Sequence, residues 1–275
     1  MNQGINKDLV KKRFSYAAKS YDDYAVVQKN MAKKLICLLE EKKKLHTAKR
    51  ILEIGCGTGC FTAYFLKHLA DKKLKDIEIL ITDISEEMLY ICKKRMNACG
   101  FEFDNMSFMQ LDGENIALTD MDLIIANAVF QWFNDFKSAL LNYNRLLNKE
   151  GSIFFTTFGN ATFNEIRSAF DNTICSKKRF KIGQKLVSAE DVEFFIKNAG
   201  FEDVEVYAEF ERQYFEEPRE FFKAIKKIGA SNACEVSYLG KQCYKELIEY
   251  YNREFSDEQG VYCTYEIIYC YGRKI

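Results

Sequence analysis

Glu53-Ile54-Gly55-Cys56-Gly57-Thr58-Gly59 sets an acidic residue and three glycines in seven positions, at the end of a short apolar run. Glycines at spacing two let the chain turn sharply and let a ligand approach the backbone, because glycine has no Cβ and tolerates positive φ. N–H groups exposed where a helix then starts favour an anionic ligand group. The dinucleotide fingerprint G-x-G-x-x-G needs its third glycine at position 60, but Cys60 stands there and the glycine is at 59. The Lys-Ser/Thr pair of a phosphate-binding loop is also missing. The loop keeps the strand–turn–helix design of a nucleotide site and departs from both of those patterns.

Other residues extend the chemistry. Asp83 ends a second apolar run, 24 residues after Gly59, and Ile84 follows it. A carboxylate at that place can accept hydrogen bonds from both hydroxyls of a ribose. Asp112 follows a third run and Asn127 ends a fourth. Each alone is an ordinary loop or capping residue; in series with the glycine loop they become ligand candidates. Only His46 and His68 are present, so a histidine-rich metal site is not expected. The ten cysteines are scattered without a C-x-x-C pair and are read as reduced thiols, mostly small apolar side chains. After the fourth run the chain reads Asn127-Ala128-Val129-Phe130, without the prolines of the N-P-P-Y motif that nucleic-acid amine methylation often uses.

The elements that must position these residues alternate. Ile51–Ile54, Glu78–Thr82, Ser107–Gln110, Leu123–Ala126 and Ile153–Phe158 are expected strands. Between them, Phe61, Phe65 and Leu69 mark a helix, Ser85 can cap another carrying Met88, Leu89 and Cys92, and 136–147 form a third. Strands alternating with helices imply a parallel sheet covered on both faces. Ahead of them, helices are expected over 7–19 and 24–45. Later come helices over 162–174 and 189–198, a strand at Val204–Tyr207, helices over 218–228 and 240–254, and a seventh strand at Tyr262–Tyr271. The expected fold class is α/β, a Rossmann-like seven-stranded sheet with helices on both faces and a helical cap. One domain, 1–275, divides into a helical lid (1–45), a cofactor-binding core (48–160), cap or substrate segments (161–200 and 211–259) and the last two strands (201–210 and 260–275).

Forty basic and forty acidic side chains cancel, which speaks against a grip on nucleic acid, since that affinity comes from neutralising phosphates. The first residues carry no apolar signal and no run is long enough to cross a membrane, so a cytoplasmic protein is expected.

The acidic residue followed by G-x-G-x-G resembles the first motif of class I S-adenosylmethionine methyltransferases. The resemblance implies that Gly55, Cys56, Gly57 and Gly59 pack against the methionine part of the cofactor and that Glu53 helps position its charged amino-acid end. It further implies that Asp83 and Ile84 meet the ribose edge, that Asp112 lies near adenine, that Asn127 stands beside the methyl donor, and that S-adenosylhomocysteine is the product. Over its whole length the chain resembles the malonyl-[acyl-carrier protein] O-methyltransferases of biotin synthesis. The match is carried by Phe14-Ser15-Tyr16-Ala17-Ala18, Tyr21-Asp22 and Gln28, by Asn127 to Trp132, by Phe155 to Gly159 with Thr162 to Glu165, by Ile225 to Ala230, and by Thr264-Tyr265. It departs at Val187-Ser188-Ala189, where relatives often carry prolines. The first two stretches are shared with other small-acid methyltransferases, including trans-aconitate enzymes, so those remain the alternative, beside a noncatalytic cofactor-binding protein.

The family implies methylation of the free carboxylate of a malonyl thioester, on acyl-carrier protein or coenzyme A. A carboxylate is already ionised at neutral pH and needs no general base. No metal is expected and no residue is assigned as a catalytic acid or base. Tyr16, Tyr21, Gln131 and Trp132 are the candidates to position the acceptor, with Arg179 and Lys185 as candidate partners for its carboxylate. Lys177, Lys178, Arg179, Lys181 and Lys185, together with Lys223, Lys226 and Lys227, are a candidate docking face for an acidic carrier protein.

Overall fold

A computed structural model describes residues 4–74, 76–101, 105–173, 186–229 and 240–275. Three helices come first: α1 (Lys7–Ala17), α2 (Tyr21–Tyr24) and α3 (Val26–Glu41). The alternating part follows: β1 (Arg50–Ile54), α4 (Cys60–Asp71), β2 (Glu78–Asp83), α5 (Glu86–Ala98), β3 (Met106–Gln110), β4 (Met121–Asn127), α6 (Phe136–Leu146) and β5 (Leu147–Phe158). The chain closes with α7 (Asn164–Asp171), α8 (Ala189–Asn198), β6 (Glu202–Phe215), α9 (Pro218–Lys227), α10 (Lys241–Glu254), β7 (Ser256–Asp257) and β8 (Gly260–Arg273).

The strands form one sheet in the order β3-β2-β1-β4-β5-β8-β6, with the short β7 paired to β8. The pairs from β3 to β5 are parallel, and β8 runs antiparallel to both β5 and β6. The central strands read as almost unbroken apolar runs because helices cover both faces. Alternation divides them between two cores. Ile51, Leu123, Ile125 and Phe154 pack with Leu35 and Phe65 on one face. Leu52, Ile124, Ala126 and Phe155 pack with Leu140, Tyr143 and Ile196 on the other. Full burial of one such side chain contributes about 1.5–3 kcal/mol, so a one-residue register slip would exchange the two faces at heavy cost.

Local chemistry explains most boundaries. Ser85 caps α5 by accepting from the Met88 N–H at 3.2 Å. At Val187-Ser188-Ala189, Ser188 forms a reciprocal capping box with Asp191, so α8 starts without a proline. Pro218 opens α9, where its missing N–H costs little.

Several elements differ from expectation. The helix expected over 24–45 is α2, a break at Ala25, and α3 ending at Glu41; Lys43 then adopts a left-handed conformation. β5 begins at Leu147, not 153, after a register shift opposite Met121 to Leu123. Glu211–Phe215, expected in the cap, instead extend β6, which pairs with β8 as far as Phe215↔Val261. Edge strands carry charge, and Glu205, Glu209 and Glu211 here meet Lys42, Lys34 and Asn30 of the α3 segment rather than an apolar core. Strict apolar alternation therefore understates the strand. Cys243 is disulfide-bonded, which corrects the reading of ten reduced thiols; pairing depends on spatial proximity rather than sequence spacing.

Candidate active site

In the sheet order, the chain leaves β1 toward β2 and β3, then returns to place β4 on the other side of β1. A crevice opens at such a switch point, outside the carboxyl ends of the strands. Here it encloses about 640 Å³ of space, including its open mouth. Strand ends supply one wall: Gly55, Gly57, Asp83, Ile84, Asp112 and Asn127 all line it.

The glycines serve different ends. Gly55 has φ +67, and a Cβ there would stand 2.4 Å from Val129 Cγ2. Gly59 has φ +82, and its Cβ would meet Cys92 Sγ at 2.7 Å, so this glycine lets α4 approach α5. Gly57 donates its N–H to Asp83 Oδ2 at 2.9 Å, and Ser85 N–H donates to Oδ1 at 2.8 Å. These bonds fix the carboxylate plane on the crevice wall and leave lone pairs for further donors. Burial outweighs them and pushes the Asp83 carboxyl up to about 6.

Glu53 lies behind the loop, 2% exposed. Thr62 Oγ1 donates to its Oε1 at 2.8 Å, and among the described residues nothing donates to Oε2. Burial pushes this carboxyl up to about 8, against the Thr62 hydrogen bond. An unpartnered buried carboxylate oxygen is costly unless a donor or cation reaches it. A ligand with an ammonium group and a vicinal diol matches the pair Glu53 and Asp83. Ile84, Met88, Leu111 and Phe133 offer an apolar slot beside Asp112, suited to a flat heterocycle. The residues present therefore fit S-adenosylmethionine.

The opposite wall comes from the N-terminal helices. Lys7, Val10 and Phe14 of α1 and Tyr21 of α2 face the crevice, with Trp132 and Val129 beside them. Phe14 sits edge-on to Trp132 at 5.0 Å and 6.4 Å from Tyr21. Lys7 Nζ reaches Asp112 Oδ1 at 3.1 Å and Glu114 Oε2 at 2.7 Å, and lies 4.8 Å above the Phe133 ring. At the other end Asp22 accepts from Thr58 Oγ1 at 2.6 Å and pairs with Arg95. Tyr21 is raised well above the ordinary phenol range by burial and then by the Asp83 carboxylate, so it stays a neutral O–H donor.

Residues 52–153 match the methyltransferase domain family. The malonyl-[acyl-carrier protein] O-methyltransferase of Bacillus cytotoxicus is 36% identical over 98% of this chain and 93% of its own. That of Bacillus anthracis is 35% identical over 98% of both. The chain belongs to the malonyl-[acyl-carrier protein] O-methyltransferase family. It is an S-adenosylmethionine-dependent methyltransferase. Among solved structures, the YcgJ protein of Bacillus subtilis is similar at a TM-score of 0.59 and 15% identity, covering 87% of this chain and 97% of that one. That likeness speaks to the fold alone.

Not every expected residue reaches the crevice of this methyltransferase. Tyr16 is corrected: it is 90% exposed, because it lies two residues from Phe14 and so on the far side of α1. Gln131 is corrected too: its Nε2 donates to Ala128 O at 2.7 Å and its Oε1 accepts from Thr157 Oγ1 at 3.2 Å, so it braces the end of β4 instead of lining the crevice. Glu53, Cys56 and Gly59 belong to the loop but not to the lining, and Glu53 lies behind it. The Cys56 thiol is buried in the core and pushed up by burial, and its N–H donates to Thr82 O at 2.9 Å. Arg179 and Lys185 lie outside the described residues. Lys7 and Val10 were missed as site residues, although Lys7, Val10 and Phe14 follow helical spacing of three and four, a signal present in the sequence. Tyr143 was missed as well; it is fully buried and its hydroxyl donates to Gly113 O at 2.5 Å, fixing the turn after Asp112. Among the described residues, no cluster of side chains could hold a metal ion.

Proposed function

We propose that this enzyme transfers the methyl group of S-adenosylmethionine to the free carboxylate of a malonyl thioester carried on acyl-carrier protein, giving the methyl ester and S-adenosylhomocysteine. The observation that carries the cofactor half is the buried pair Glu53 and Asp83 around the glycine loop, with Glu53 Oε2 lacking a protein donor. The acceptor half rests on the relatives' names and on a crevice whose helical wall is aromatic. Masking the charge fits the product for chain elongation toward a pimeloyl intermediate of biotin.

When bound, the cofactor supplies a methyl carbon activated by a sulfonium leaving group. Transfer to an ionised carboxylate would require no proton acceptor from the protein. The protein's task is placement and exclusion of water. Glu53 would hold the ammonium end, Asp83 would accept from the ribose hydroxyls, and Ile84 and Asp112 would border the adenine. Gly55 and Gly57 leave the backbone open to the ligand, while Asn127 stands at the reacting end. Phe14, Tyr21 and Trp132 form a wall that desolvates the acceptor, with the Tyr21 hydroxyl as a donor toward it. The carrier would dock through Lys223, Lys226 and Lys227, which are exposed on α9; the other basic residues of that candidate face lie outside the described residues.

No helix among the described residues is long and apolar enough to cross a membrane. One assay tests the reading: methyl transfer to malonyl-carrier protein, malonyl-CoA and free diacids. Preferred transfer to the carrier is expected. Transfer to free diacids alone would reject the carrier assignment and favour the small-acid alternative. Cofactor binding without any transfer would favour a noncatalytic role.

A further inference from the structure

Strand β5 places two threonines in an apolar run, Phe154-Phe155-Thr156-Thr157-Phe158, and both are fully buried. A buried hydroxyl is costly unless its hydrogen bonds are made. The Thr156 hydroxyl makes two. It accepts from Ala128 N–H at 2.9 Å and donates to Asn127 Oδ1 at 2.8 Å. Since the Ala128 N–H has taken its acceptor side, the hydroxyl hydrogen is left to Asn127, which fixes the amide's orientation. Asn127 Nδ2 accordingly donates to Gln28 O of α3 at 3.1 Å.

Two further features make this corner special. Ala128 has φ +56, a left-handed conformation that a non-glycine residue holds only when its surroundings impose it. Its N–H is held by Thr156, both at the hydroxyl and at the backbone oxygen at 3.1 Å, and its carbonyl is held by Gln131, itself braced by Thr157. The Asn127–Ala128 peptide is trans and planar, so its C=O points opposite to its N–H. The N–H faces β5, so the Asn127 carbonyl turns to the opposite, β1 side, and both Asn127 and Gly55 at the end of β1 line the crevice.

We infer that Thr156 is a positioning residue for methyl transfer: its hydroxyl sets the Asn127–Ala128 corner so that the Asn127 carbonyl and side chain present a fixed polar edge to the methyl donor. This rests on the methyltransferase reading above. Thr156 itself is separated from the crevice by Asn127 and Ala128 and does not line it.

The test compares Thr156→Val, which keeps the shape and removes the hydroxyl, with Thr156→Ser, which keeps the hydroxyl. Steady-state kinetics with malonyl-carrier protein are measured alongside thermal unfolding. In the Val variant kcat falls about 10- to 100-fold, as a misplaced reacting group predicts, while the KM for the acceptor stays within about threefold. The Ser variant recovers most of the lost kcat. If the Val variant does not fold, Thr156→Ala and Thr156→Ser give the same comparison, since they differ only in the hydroxyl. An active wild type with an unimpaired Val variant, or Ser as impaired as Val, overturns this inference alone. A wild type that binds S-adenosylhomocysteine but transfers nothing overturns the functional reading and this inference together.

Discussion

The two walls of the crevice are built from different materials. The cofactor wall consists of strand ends, backbone N–H groups and buried carboxylates, placed by the register of β1, β2 and β4. The facing wall consists of α1 and α2, whose crevice-facing side chains are an ammonium, a valine and two aromatic rings. Sheet hydrogen bonds and two packed cores hold the first wall. Half-exposed polar contacts such as Lys7 to Asp112 and Glu114, and Asp22 to Thr58 and Arg95, secure the ends of the second. The proposed function divides the labour accordingly: a preorganised wall for the cofactor, and a facing wall for the acceptor whose ends are tied by ion pairs of modest strength.

If so, damage to the strand wall should outweigh damage to the helical wall. The largest effect is expected for Asp83→Ala. It removes acceptors for two ligand hydroxyls, each worth about 1.5–3 kcal/mol when the acceptor is charged, so S-adenosylhomocysteine affinity measured by calorimetry should fall at least about 100-fold. Unchanged affinity would show that the ribose lies elsewhere. Next is a pH effect at Glu53. Its carboxyl titrates at about 8 in the free protein, and a bound ammonium favours the ionised form. Binding therefore releases a proton, and affinity rises as pH climbs from about 6 toward 8. Glu53→Gln should flatten that slope; an identical slope in the variant would exclude Glu53 as its source.

On the helical wall, Trp132→Ala should raise the acceptor KM about tenfold and alter S-adenosylhomocysteine affinity much less, because it removes an aromatic contact. Equal losses on both would erase the distinction between the walls. Lys7→Ala should weaken cofactor retention about three- to tenfold at low salt, consistent with a half-buried ion pair of modest strength. High salt should narrow the gap between variant and wild type. The smallest effect is expected when Lys226 and Lys227 are reversed to Glu: a several-fold rise in KM for the carrier-bound substrate and none for free malonyl-CoA. No change with either substrate would remove α9 from the docking surface.

Much of the cofactor wall was legible in the sequence because it obeys local rules. A strand, a tight turn and a helix must be contiguous, so Glu53, Gly55 and Gly57 announce themselves within seven positions. Asp83 and Asn127 end apolar runs, and the Ser85 cap follows from one residue type at one place. Parallel strand–helix alternation was equally plain, since burial on both faces leaves no other pattern. The helical wall was only half legible: the spacing of Lys7, Val10 and Phe14 was present, but nothing local said that this face meets the sheet.

The sequence by itself determined the glycine loop, its acids and the alternation of strands and helices, because these depend on neighbours a few residues apart. Only the tertiary structure decided which side chains share the crevice. It turned Tyr16 outward and Phe14 inward, joined Lys7 to Asp112 across 105 residues, and made Gln131 a brace for Ala128. It also revealed Thr156, which in sequence is one more β-branched residue in a strand. Such contacts depend on helix phase and sheet order at long range, and no spacing within a single element encodes them.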